Sequence, residues 1–131
     1  MNLLLDTHIA LWAVFGHRRL PPRARALISD PQNAVTVSVA SLWEIAIKHA
    51  IVRAGVRAIP VSANEAFGHF ERAGYALLAI SSAHARAVET LPPHHKDPFD
   101  RMLIAQALSE PMRLLTHDPG LARYSDTIIG V

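Results

Sequence analysis

The strongest constraint on the fold is an alternation along the whole chain. Short apolar or β-branched runs, too short to be helices, are each followed by longer stretches with helical spacing. The first run is Asn2–Leu5, with a helix expected over Thr7–Phe15 that Gly16 stops. Pro21-Pro22 opens a short basic helix to about Ser29, and Asp30-Pro31 breaks it. Ala34–Val37 reads as the second strand, with a helix from about Ser38 to Val52 and Gly55 beyond it. Ser62-x-x-Glu65 has the form of a capping box for a helix to about Ala73, with Gly74 after it. Ala76–Ile80 reads as a strand and Ser82–Leu91 as a helix. The Pro92–Lys96 loop leads to a helix running to about Ser109, with Pro98 at its first position. Arg113–Thr116 is a strand, Asp118 to about Arg123 a short helix, and Thr127–Ile129 a last strand.

Strands joined by helical crossovers predict a parallel sheet with helices on both faces. The expected fold is therefore α/β: a three-layer α/β/α sandwich around a mostly parallel sheet of four to five strands. With 131 residues, half of them apolar, the chain suits one domain spanning residues 1–131. In such folds ligands bind at the carboxyl ends of the strands, where the strand order reverses.

Composition removes whole classes of chemistry. There is no cysteine, which excludes disulfides and thiolate metal sites and makes a cytoplasmic setting the expectation. The opening residues lack a basic segment and Asp6 interrupts their apolar run, so they do not read as a signal peptide. No stretch approaches the apolar length of a membrane span. Mean hydropathy is +0.19, high for a small monomer, and implies that a partner covers apolar surface. Net charge is only +2, but basic residues cluster at Arg18, Arg19, Arg23 and Arg25 and again at Lys48, His49, Arg53 and Arg57. Either cluster is a solvated helix face or a phosphate contact.

The informative charges are acidic. Asp6 follows the first strand, Glu44 lies in the first turns of the helix after the second, Asp100 sits in the first turn of a helix, and Asp118 follows Leu-Leu-Thr at a strand end. Each has a local explanation. Asp6 and Asp118 suit N-caps, Ser41-x-x-Glu44 resembles a capping box, and Asp100 favours a helix dipole. A parallel sheet, however, places all four at one edge, where they repel unless a cation neutralises them. Oxygen ligands alone favour Mg²⁺ or Mn²⁺, ions that activate water for phosphodiester cleavage.

Four segments carry a resemblance: Leu3-Leu4-Leu5-Asp6-Thr7-His8, Ser41-Leu42-Trp43-Glu44-Ile45, the long block from His95 to Ala107, and Leu115-Thr116-His117-Asp118. In this order they resemble the four acidic motifs of the PIN-domain family, most of all VapC-type toxins of bacterial toxin–antitoxin pairs. The resemblance implies a Mg²⁺- or Mn²⁺-dependent endoribonuclease with Asp6, Glu44, Asp100 and Asp118 as metal-binding and catalytic residues and Thr7 and Thr116 beside them. It further implies a tRNA or rRNA substrate, a cognate VapB-type antitoxin and a homodimer. The alternative is a non-catalytic PIN-like RNA- or protein-binding module.

Other residues are set aside. Asp97, before Pro98, reads as an N-cap, and Arg101 either orients carboxylates or pairs with Asp97. The eight histidines lack the spacing of a zinc site. Trp12 and Trp43 read as core or subunit-interface residues. A receiver domain requires an acidic pair after the first strand, and an aspartyl phosphatase requires Asp-x-Asp there. Asp6-Thr7-His8 meets neither pattern.

Overall fold

Leu3, Leu4 and Leu5 are all fully buried, which a strand achieves only when both faces of its sheet are covered. A computed structural model of the protein describes residues 1–51 and 59–131. Five strands lie in one sheet: β1 (Asn2–Leu5), β2 (Ala34–Ser38), β3 (Ala76–Leu78), β4 (Arg113–Thr116) and β5 (Ile129–Gly130). Among the described residues there are six α-helices: α1 (Thr7–Phe15), α2 (Pro22–Ser29), α3 (Val39–Ala50), α4 (Ala63–Arg72), α5 (Ser82–Ala87) and α6 (Pro98–Ser109). The strand order is β3-β2-β1-β4-β5 and every pairing is parallel.

The alternation of side chains along β1 divides the core. Leu3 and Leu5 pack with Val37, Leu115, Ile9, Ile45 and Phe70 on one face. Leu4 packs with Leu114, Leu103, Ile104 and Ala107 on the other. This is the expected three-layer sandwich, with α1 to α4 contributing to the first face and α6 to the second.

The connections set the position of the site. From β1 the chain builds β2 and β3 on one side, then returns to place β4 on the other side of β1. The strand order therefore reverses between β1 and β4, and the crevice outside their carboxyl ends is the natural binding place. Asp6 follows β1 and Thr116 ends β4.

A buried polar chain ties the helices that flank this crevice. Ser38 caps α3 by accepting from Ala40 N, and its hydroxyl donates to Gln106 Oε1 in α6. Gln106 Nε2 reaches Ala79 O and lies 3.3 Å from His84 Nδ1. Since Ser81 N also donates to that Nδ1, the ring proton sits on Nε2, which meets Glu110. Helices α3 and α6, which carry Glu44 and Asp100, are thereby held in fixed relation.

Several boundaries differ from the sequence expectation. The segment after Ala87 tightens into a 3-10 turn over Val88–Thr90 rather than continuing to Leu91, and the short helix expected after Asp118 is a 3-10 turn at Leu121–Tyr124. Strand β5 begins at Ile129, because the amide of Ile128 still bonds to Ser125 in a turn. Ser38, not Ser41, caps α3, so Ser41 and Glu44 both lie within the helix and form no capping box. The expected end of this helix at Val52, with Gly55, Arg53 and Arg57, falls outside the described residues. None of the described helices is long and apolar enough to cross a membrane.

Candidate active site

A cleft of about 900 Å³ lies at the strand reversal, and Asp6, Glu44, Asp97, Asp100 and Asp118 all line it. The four acidic residues singled out in the sequence thus share one cleft, although no two come from the same strand-to-helix segment. Each is held by a different local device.

Asp6 does cap α1. Its Oδ1 accepts from the amides of His8 (3.0 Å) and Ile9 (3.3 Å). Its Oδ2 accepts from the Thr116 hydroxyl at 2.7 Å. Thr116 is fully buried, and its oxygen also accepts from Asp118 N at 3.1 Å. One hydroxyl, donor to one carboxylate and acceptor at the backbone of the other, sets the spacing of the β1 and β4 ends. Asp118 is closed into its turn by Gly120 N, which donates to Oδ1 at 2.8 Å.

Glu44 is buried, and both its oxygens are engaged. Thr7 donates to Oε1 at 2.6 Å, and Lys48, one helical turn on, bonds to Oε2. Thr7 Oγ1 also lies 2.9 Å from Ser41 Oγ. Thr7 has a single proton and spends it on Glu44, so Ser41 is the donor in that pair. Burial works against the Lys48 ammonium, but its bond to Glu44 and the charges of Glu44, Asp97 and Asp100 outweigh it and hold its pKa above the usual lysine value.

Asp97 caps α6, accepting from Phe99 N and Asp100 N. Asp100 faces His95, whose Nε2 lies 2.7 Å from its Oδ2 and 4.0 Å from Asp118 Oδ2. Burial, followed by the neighbouring charge of Asp97, pushes Asp100 up to about 6, against the opposing bond from His95. Burial also raises Asp6, despite the hydrogen bonds from Thr116 and the backbone.

The carboxylates do not all converge on one point. Among the described residues, His95, Asp100 and Asp118 each offer a ligand atom within 4.8 Å of the others. Asp6 and Glu44 stand outside that group, turned towards Thr116, Thr7 and Lys48. The donor set nevertheless suits a hard divalent cation: several carboxylate oxygens line one cleft, and burial there disfavours the bare charge of Asp6 and Asp100.

Sequence reasoning passed over two of these groups. His95 falls among the histidines without zinc spacing, and Lys48 within a basic cluster. Lys48 was detectable as the i+4 partner of Glu44. Arg101 plays neither expected part. Its guanidinium donates to the carbonyls of Val88, Leu91, Pro92 and His95 and to the Tyr124 hydroxyl, pinning the loop before α6. Trp43 is 59% exposed, so it is not a core residue, and it packs edge-on against Phe99. Trp12 is half-buried at the cleft, with His8, His17 and His117 around its ring.

A PIN domain family model matches residues 3–126. Three solved structures share the fold. The VapBC2 complex of Rickettsia felis bound to a DNA fragment from its promoter has a TM-score of 0.67 at 15% identity, covering 100% of this chain and 98% of that one. FitAcB from Neisseria gonorrhoeae has a TM-score of 0.61 at 17% identity, covering 98% and 96%. A toxin–antitoxin complex from Klebsiella pneumoniae has 0.60 at 20% identity, covering 97% and 95%. No curated protein matches the chain in sequence.

The raised Asp100 pKa has a consequence for stability without metal. The unfolded chain loses this proton near the ordinary value of 3.8, the folded chain only at about 6. Between those values the folded state binds more protons, so stability falls as pH rises, and the penalty is complete above about 6. In EDTA, Asp100→Asn is expected to melt above the wild type at pH 7, with the gap closing towards pH 4. A pH-independent difference in melting temperature contradicts this assignment.

Proposed function

Because the chain belongs to the PIN domain family, we propose that it is a metal-dependent endoribonuclease, the toxin of a toxin–antitoxin pair. The observation that carries this reading is the acidic cleft at the strand reversal, with Asp6, Glu44, Asp100 and Asp118 on its walls.

In this proposal Asp6, Asp100 and Asp118 hold Mg²⁺ or Mn²⁺, and Glu44 completes the acidic set. Such an ion activates water and stabilises the leaving oxygen of a phosphodiester. The remaining work belongs to the chain. Thr116 holds the Asp6 carboxylate towards the cleft, and Thr7 does the same for Glu44. Lys48 and Arg19 give the cleft wall positive charge for RNA phosphates. Single-stranded loops of a folded RNA such as tRNA or rRNA are the accessible places to cut. Hydrolysis by attack of water at phosphorus leaves a 5′-phosphate and a 3′-hydroxyl, whereas attack by the 2′-hydroxyl leaves a cyclic phosphate.

A cytoplasmic ribonuclease needs restraint, and the three structural neighbours support an antitoxin partner of the VapB type. An arginine on such a partner can enter the carboxylate cleft and pair bidentately. Of the helices whose apolar content suggests docking, α1 offers Trp12, but Ile45 of α3 is fully buried in the core and is not available. Self-association is supported by a second groove, lined like the cleft by residues of α3 and α6. There Trp43 and Ile80 border a groove with Phe99, Met102 and Val88. Trp43 and Ile80 are both exposed.

Three measurements test these readings. Asp100→Asn is expected to fold and to lose RNA cleavage by about a hundred-fold or more, as does the wild type in EDTA, because one ligand becomes a neutral amide. Wild-type products should end in 5′-phosphate. Cyclic-phosphate ends, or full activity in EDTA, exclude the mechanism. Light scattering should give twice the 14.3 kDa chain mass at tens of micromolar, and Trp43→Arg should shift it towards the monomer. A monomeric wild type overturns the dimer.

A further inference from the structure

Among the described residues, His95 is the histidine that shares ligand distance with two of the acidic residues, Asp100 and Asp118. Its ring lies between two carboxylates that are far apart in sequence, 2.7 Å from Asp100 and 4.0 Å from Asp118. All three ligand atoms lie within 4.8 Å of one another, close enough to be shared by one ion. Asp6 and Glu44, by contrast, have their oxygens committed to Thr116, Thr7 and Lys48.

The placement of the ring is also built. Arg101 donates to the carbonyl of His95 itself at 3.2 Å and to those of Val88, Leu91 and Pro92, so the loop is fixed to the same helix that carries Asp100. A histidine on an unrestrained surface loop makes no such commitment. The imidazole edge hydrogen-bonds the Asp100 carboxylate at 2.7 Å.

We propose that His95 is a ligand of the metal centre, with Asp100 and Asp118, and that its imidazole biases the centre towards transition-metal ions over Mg²⁺. This rests on the metal-dependent reading of the cleft. Mg²⁺ strongly prefers oxygen, whereas first-row transition ions accept imidazole nitrogen. To hold an ion, His95 would offer its Nε2 lone pair in place of the hydrogen bond to Asp100, with its ring proton on Nδ1. Arg101 is then a positioning residue, acting through the His95 carbonyl.

The test uses the whole chain and Mn²⁺ as the probe. Pulsed electron paramagnetic resonance of the Mn²⁺-bound wild type should show coupling to a directly bound nitrogen, and His95→Ala should lose it. Calorimetric titration should show Mn²⁺ binding weakened by about ten-fold or more in His95→Ala, with Mg²⁺ binding changed by less than about two-fold. Bound Mn²⁺ without nitrogen coupling in the wild type overturns the role of His95 and leaves the acidic site standing. Equal weakening for both ions also overturns it, because a residue that merely shapes the pocket affects both alike. Failure of Mn²⁺ to bind the wild type at all instead removes the metal-dependent reading beneath it. Circular dichroism of His95→Ala confirms that the variant compared is folded.

Discussion

Carboxylates gathered in a half-closed cleft repel one another, and much of this structure can be understood as a response to that repulsion. Two of the four acidic positions, Asp6 and Asp100, have pKa values raised by burial. The neighbouring groups are those that soften negative charge without removing it. Backbone amides and Thr116 serve Asp6, Thr7 and Lys48 serve Glu44, and His95 serves Asp100. A protein selected for stability alone has no reason to concentrate these charges. The cost makes sense if a cation repays it; at Asp100 burial and then the charge of Asp97 push the carboxyl up to about 6.

The fold makes this concentration possible by topology. In an all-parallel sheet the carboxyl ends of all strands share one edge, and the return of the chain from β3 to β4 opens a crevice beside β1. Thr116 joins the two strands that flank it, bonding to Asp6 with its proton and to Asp118 with its lone pair. The Ser38–Gln106–His84–Glu110 chain performs the matching task among the helices, fixing α3 against α6. Thr116, Ser38 and Gln106, at the centre of these devices, are buried, and buried polar contacts hold geometry strictly.

How much of this was legible in the sequence varies with range. The sandwich followed from the alternation of short apolar runs with helical ones, because a fully buried strand such as Leu3–Leu5 has few other readings. Asp6, Glu44, Asp100 and Asp118 were legible as candidates because each stands where a strand gives way to a helix or a helix begins. The exceptions are informative. Glu44 was assigned a capping partner in Ser41, yet Ser38 opens the helix, because its hydroxyl reaches Ala40 N and leaves Ser41 free to meet Thr7. Arg101 looked like a partner for carboxylates, but four backbone carbonyls of the preceding loop claim its donors. The contact of His95 with Asp100 was not legible because it depends on how that loop folds back on α6. Spacing in the chain does not encode such a contact.

The proposed site rests on these contacts, with Asp6, Asp100, Asp118 and Glu44 lining one cleft across the β1–β4 crevice. The most direct test is anomalous diffraction from a crystal of this protein soaked in Mn²⁺. One or two anomalous peaks are expected inside the cleft, within coordinating distance of Asp100 and Asp118, and they should vanish in Asp100→Asn. A crystal that shows no peak there at saturating Mn²⁺, or peaks only at surface residues away from the β1 and β4 ends, contradicts the assignment of this cleft as a metal-dependent active site.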